Sequence, residues 1–137
     1  MMELKVKATD ENLDTVIGFV DEQLAILGCP MKTQIQLEVT VEEIFVNIAH
    51  YAYQSGDGEA VIRTEISSEP PYIEICFIDS GTPYDPLAKP DPDVTLSAEE
   101  RQIGGLGIYM VKKSVDDIKY EYKDGHNILT IKKVIRK

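Results

Sequence analysis

Three short stretches carry side chains whose types and spacing suit chemistry. EEIFVNIAHYAY, residues 42–53, has the apolar rhythm of a helix burying one face, through Ile44, Phe45 and Ile48. Glu43, Asn47 and His50 interrupt it at spacings of four and three, which places all three on one stripe of that helix. A carboxylate, an amide and an imidazole in such a row suit proton transfer or ligand binding, and they also suit a plain solvent face. FIDSGTP ends an apolar run in Asp79-Ser80-Gly81. That puts a carboxylate at a strand exit, where open α/β sheets bind ligands, although a simple turn uses the same residues. GGLGI, residues 104–108, sets Gly104, Gly105 and Gly107 at the start of a helix. Unpaired backbone N–H groups and the positive dipole end can hold a phosphate there, or the glycines can be a hinge. No Gly-x-x-x-x-Gly-Lys-[Ser/Thr] is present, and the glycines follow a loop instead of a strand, which excludes a P-loop and a dinucleotide fingerprint.

These residues need elements to hold them. ELKVKA, residues 3–8, alternates as a strand, and Thr9 or Asp10 is placed to cap a helix through Val16, Phe19, Val20, Leu24 and Ile26 that stops at Gly28 and Pro30. A second helix is expected from Met31 to about Gln54, and it carries Glu43, Asn47 and His50. AVIRTEIS and YIEICFID then read as an antiparallel pair with one buried face. From Thr82 to Ile103 the pattern stops and four of the seven prolines occur. A loop of that length in a compact domain is typically a functional lid or disordered. A third helix begins with the glycines, and the chain closes as a hairpin turning at Asp124-Gly125. The expected fold is an α/β two-layer sandwich, with helices on one face of a mixed, mostly antiparallel sheet. At 137 residues the chain has the size of one domain, 1–137, with the lid at about 82–103.

Composition narrows the partners. Lys and Arg number 14 against 24 Asp and Glu, a formal charge of -10 that repels a phosphate backbone, so nucleic acid is not an expected partner. Six of the 14 basic residues fall between Lys119 and Lys137, which leaves the rest of the surface still more acidic. Cys29 and Cys76 are isolated, without zinc-ligand spacing, and read as small core residues in a reducing compartment. No signal core and no run near 18 apolar residues occurs, so no membrane association is expected and the cytoplasm is the expected location.

Taken in order, Glu-x-x-x-Asn on a helix, Asp-x-Gly after a strand, a long lid and Gly-Gly-x-Gly into a helix resemble the N, G1 and G2 boxes of the GHKL ATPase superfamily. Within it the chain is most similar to the small anti-sigma factor serine/threonine-protein kinases, whose whole chain is one such domain. Histidine kinases place a helical hairpin with a phosphoacceptor histidine before the boxes, and residues 1–30 contain no His. The resemblance implies ATP and Mg²⁺ as cofactors. By it, Asn47 ligates the metal, Asp79 accepts the adenine amino group and Gly81 gives the ring room. Gly104, Gly105 and Gly107 offer N–H groups to the phosphates, and Glu43 is the general base for an incoming hydroxyl. The last box falls on DGHNILTIKK, with Thr130 as the usual hydroxyl, and Arg101 and Lys89 of the lid are candidates for phosphate charge. The likeness departs at Tyr51, which stands where His is common, so His50 reads as a core or helix-flank residue. The implied partners are a STAS-type anti-sigma factor antagonist, a sigma factor and a second copy of the chain. The alternatives are a non-catalytic ATP-gated binding module and a histidine-kinase-type ATPase subunit.

Overall fold

Alternation of side chains along the strands decides which way every other element faces. The structure, a computed structural model, describes residues 1–53, 58–87 and 105–136. Its strands are β1 (Met2–Lys7), β2 (Glu59–Ser68), β3 (Pro71–Asp79), β4 (Asp117–Lys123) and β5 (His126–Val134), in the spatial order β1-β2-β3-β5-β4. All four pairings are antiparallel. Asp124 and Gly125 both have positive φ, 53° and 80°, as a two-residue hairpin between β4 and β5 requires.

Register turns local alternation into a continuous apolar surface. Ile62 of β2 lies opposite Phe77 of β3, and Phe77 opposite Leu129 of β5; Thr64, Ile75 and Ile131 form the next row. All six are buried. Against them pack α1 (Leu13–Ile26) and α2 (Met31–Asn47), and Val16, Val20, Leu24, Leu37, Val41 and Phe45 complete one core. Removing a buried side chain such as Phe45 from a core of this kind costs about 3–5 kcal/mol. Among the described residues, no helix is long and apolar enough to cross a membrane.

Three local details depart from expectation. A 3-10 turn, Asp10–Asn12, precedes α1, and neither Thr9 nor Asn12 makes a side-chain cap bond. The second helix does not run on to Gln54 as one coil: at Asn47 it passes into a π-helical turn, Ile48–Ala52. Cys76 is not in the helix-covered core. It pairs with Thr130 on the opposite face of the sheet, half-buried, and burial raises its thiol above the ordinary value.

Candidate functional site

A carboxylate buried on an apolar sheet face needs partners, because an unpaired one is costly to remove from water. Asp79, at the end of β3, is 6% exposed and sits opposite Ala60 on one side and Asn127 on the other. Its Oδ1 accepts the Gly81 N–H at 2.9 Å and the Asn127 Nδ2–H at 2.9 Å. Both bonds fall on the same oxygen, and Oδ2 receives none among the described residues.

Asn127 is itself fully engaged. Nδ2 also donates to the Thr82 carbonyl at 3.0 Å, while Oδ1 accepts the Tyr84 N–H at 3.1 Å and the Tyr120 hydroxyl. Burial, followed by the nearby Asp85 and Asp79 charges, pushes the Tyr120 phenol above its ordinary value. It is therefore a hydroxyl donor at neutral pH. One amide thus ties β3, β4, β5 and the segment after β3 together.

The end of α2 forms the facing wall. Asn47 and Tyr51 line a cavity of about 530 Å³ together with Asp79, Asn127 and Ile108, between apolar walls that include Ile44, Ile48, Phe77 and Leu129. That volume suits a small organic ligand, and the few polar groups among apolar walls are what such sites use for orientation. Glu43 stands one turn back from the cavity, half-buried, where its Oε1 accepts the Asn47 Nδ2–H at 3.4 Å. With one amide proton engaged there, the Asn47 carbonyl oxygen and its second N–H are left for a ligand.

His50 does not share the stripe with Glu43 and Asn47. The π-helical turn widens the coil past 3.6 residues per turn, so that Asn47 and Tyr51 face the cavity while His50 swings aside. Its Nε2 lies 2.8 and 2.9 Å from the two Asp10 carboxylate oxygens, and it is a helix-flank residue.

Gly81 earns its place differently from the expected one. A Cβ there would run into the Ala52 carbonyl oxygen and lie 2.7 Å from the Ala52 Cβ. The room left by the missing side chain is taken by the Ala52 backbone and not by the cavity. Thr130 is a second correction. Residues 127, 129 and 131 of β5 face the helices, so Thr130 points to the other side, with its hydroxyl 3.6 Å from the Cys76 sulfur. Asn127 occupies the place beside Asp79.

The glycine-rich start of the third helix reaches the same region. α3 (Gly105–Ser114) begins with Gly105 and Gly107 in its first turn, and Ile108 lines the cavity. Gly104, Arg101 and Lys89 lie outside the described residues. Asn127, Tyr120 and Tyr51 are site residues that motif reading missed. The signal for Asn127 was the alternation Asn-x-Leu-x-Ile after a two-residue turn, which puts an amide on an otherwise apolar face. Among the described residues no group of three or more His, Cys, Asp or Glu could hold a metal ion.

Comparison with known proteins agrees with this fold. The chain is 28% identical over 106 residues to the serine-protein kinase RsbW of Listeria monocytogenes, covering 74% of this chain and 66% of that protein. It is 26% identical over 95 residues to the serine/threonine-protein kinase BtrW of Bordetella bronchiseptica, covering 69% and 66%. The chain thus spans just under two thirds of the length of these curated relatives. Two solved structures share the fold. The RsbU and RsbW domains of Rv1364c from Mycobacterium tuberculosis superpose with a TM-score of 0.62 at 15% identity, over 98% of this chain and 33% of that one. The SiaB-SiaC complex from Pseudomonas aeruginosa gives 0.61 at 14% identity, over 98% and 90%. A model of the histidine kinase-like ATPase domain matches residues 6–133, nearly the whole chain, and the protein belongs to that family.

Proposed function

We propose that this chain is an ATP-dependent serine/threonine protein kinase of the anti-sigma factor type, which phosphorylates a STAS-type antagonist and holds a sigma factor when that antagonist is modified. The observation that carries the reading is the placement of Asp79 and Asn47 on opposite walls of one cavity that also adjoins the start of α3. A carboxylate acceptor at one side suits an amino-substituted base, and the apolar walls suit its planar ring.

The residues present fit Mg-ATP, which when bound supplies the phosphoryl group to be transferred. Asn47 offers a hard oxygen ligand, oriented by the bond from its nitrogen to Glu43. Nucleotide-bound Mg²⁺ would need few ligands from the chain, since water and phosphate oxygens would supply the rest, so it is no obstacle that no carboxylate cluster occurs among the described residues. Backbone N–H groups in the first turn of α3, at Gly105 and Gly107, have no partner within the helix and suit phosphate oxygens. Glu43, beside the metal ligand, takes the proton from an incoming serine or threonine hydroxyl. The homodimer, the cytoplasmic location and the single-domain organisation belong to the same proposal.

The test is transfer of label from γ-labelled ATP to a serine or threonine of a STAS-type antagonist supplied as the purified protein. Acid-stable phosphoserine or phosphothreonine supports the reading. A second reading, a nucleotide-gated binding module without transfer, draws on the position of Glu43 behind the cavity lining. Nucleotide bound with no label transferred to any antagonist favours that module.

A further inference from the structure

The contacts of Asn127 go beyond those of a residue that fills space. It is 7% exposed and sits on the helix-covered face, where its neighbours on β5 are Leu129 and Ile131. An apolar residue would satisfy the core there. An amide instead makes four short bonds, to Asp79, Thr82, Tyr84 and Tyr120.

These bonds determine the amide's orientation. The Tyr84 backbone N–H can only donate, so the atom facing it is the Asn127 oxygen. The nitrogen must then face Asp79 and the Thr82 carbonyl. With both amide protons and the carbonyl oxygen occupied, Asn127 has nothing left to offer a ligand, although it borders the cavity. Its effect passes through Asp79. Two N–H donors, from Asn127 and Gly81, converge on Oδ1, which holds the carboxylate plane in one setting and leaves Oδ2 as a pure acceptor.

We infer that Asn127 is the positioning residue that makes Asp79 an acceptor-only reader of the base, so that the cavity takes a nucleotide with an exocyclic amine and rejects one with a carbonyl in the same position. The inference rests on the nucleotide reading above. An amine donates to Oδ2, whereas a carbonyl oxygen meets it lone pair to lone pair. A site built around one such hydrogen bond discriminates strongly, because the mismatched pair is left buried and unsatisfied.

The test compares Mg-ADP with Mg-IDP, which differ in a 6-amino against a 6-oxo group, by calorimetry on the full chain. The wild type is expected to prefer ADP by about a hundredfold. Asn127→Asp keeps the shape and the bonds from Tyr84 and Tyr120 but faces Asp79 with an oxygen. The donor that held Oδ1 is gone and two like charges face each other, so the Asp79 carboxyl is free to rotate and to take up a proton, and Oδ2 is no longer fixed as an acceptor toward the base. The preference should then fall to about tenfold or less. A purely structural role would weaken both nucleotides equally and leave the ratio unchanged, and that result overturns the inference. Should Asn127→Asp fail to fold, Asn127→Ser, too short to reach Asp79 and Tyr120 together, carries the same expectation and the same criterion. Absence of ADP binding in the wild type overturns the nucleotide reading itself. ADP preference retained in full by the variants overturns only the role of Asn127.

Discussion

The Ala52 carbonyl accepts the Thr82 N–H at 2.8 Å, and Gly81 lies directly against the same peptide. The last turn of the site helix is thereby fastened to the segment leaving β3. Any side chain at 81 must push the two apart, and the contact is backbone, which yields poorly. Gly81→Ala is expected to cost about 1–3 kcal/mol in denaturant unfolding and to weaken nucleotide binding at least tenfold. Wild-type values on both measurements would show that the two segments are not fastened.

Glu43 is expected to matter for transfer and little for binding. Glu43→Ala should leave the ATP dissociation constant within a few-fold, since the carboxylate touches Asn47 and does not line the cavity. Phosphoryl transfer should fall by about a hundredfold or more, the usual contribution of a general base. Transfer at the wild-type rate removes the assignment.

Asp79→Asn is expected to abolish nucleotide binding by calorimetry. Its Oδ1 takes two N–H donors, so the amide oxygen stays there and the new NH₂ turns to the cavity. A donor then meets the base amine. Normal affinity in this variant discredits the contact.

Asp21 of α1, beside Glu38 of α2, is pushed up to about 6, first by burial and then by its hydrogen bond to and charge repulsion from Glu38. Its Oδ1 is buried without a partner. The folded chain therefore holds the Asp21 proton more tightly than the unfolded one. By linkage, the associated stability is fully present below the unfolded value near 4 and is lost as pH rises to about 6. Asp21→Asn should raise stability at pH 7 by about 1–2 kcal/mol and flatten the fall between pH 4 and 6. Urea titrations across that range measure both. An unaltered slope would mean Asp21 is not the group responsible.

The His50 and Asp10 pair is exposed, at 46% and 63% of their side chains. Exposed pairs contribute less than about 1 kcal/mol. His50→Ala should leave nucleotide binding and transfer unchanged, and a large loss of either would return His50 to the site.

Motif order and alternation, both readable along the chain, placed Asn47, Asp79 and the third helix around one pocket and set all five strands within a residue or two. Their errors have one kind of cause. Thr130 and Asn127 are both polar residues on the same strand, and a hydroxyl matched the expected pattern better. The alternation Asn-x-Leu-x-Ile pointed to Asn127, and the pairing of Asp79 with Asn127 fixes it as the one on the buried face, because a shift of one residue turns every side chain over. His50 followed the period of an ideal helix, and the π-helical turn changed that period.

Elements and their buried faces follow from the order of residues, since hydrophobic spacing of two or near 3.6 acts within a few residues of itself. Whether Gly81 makes room for a ligand or for Ala52, and whether Glu43 lines the cavity or stands behind Asn47, depends on contacts between segments 29 and 4 residues apart. The first is a backbone approach between elements that no local pattern encodes. The second turns on where a helix end meets its sheet, a position set by packing the whole core at once.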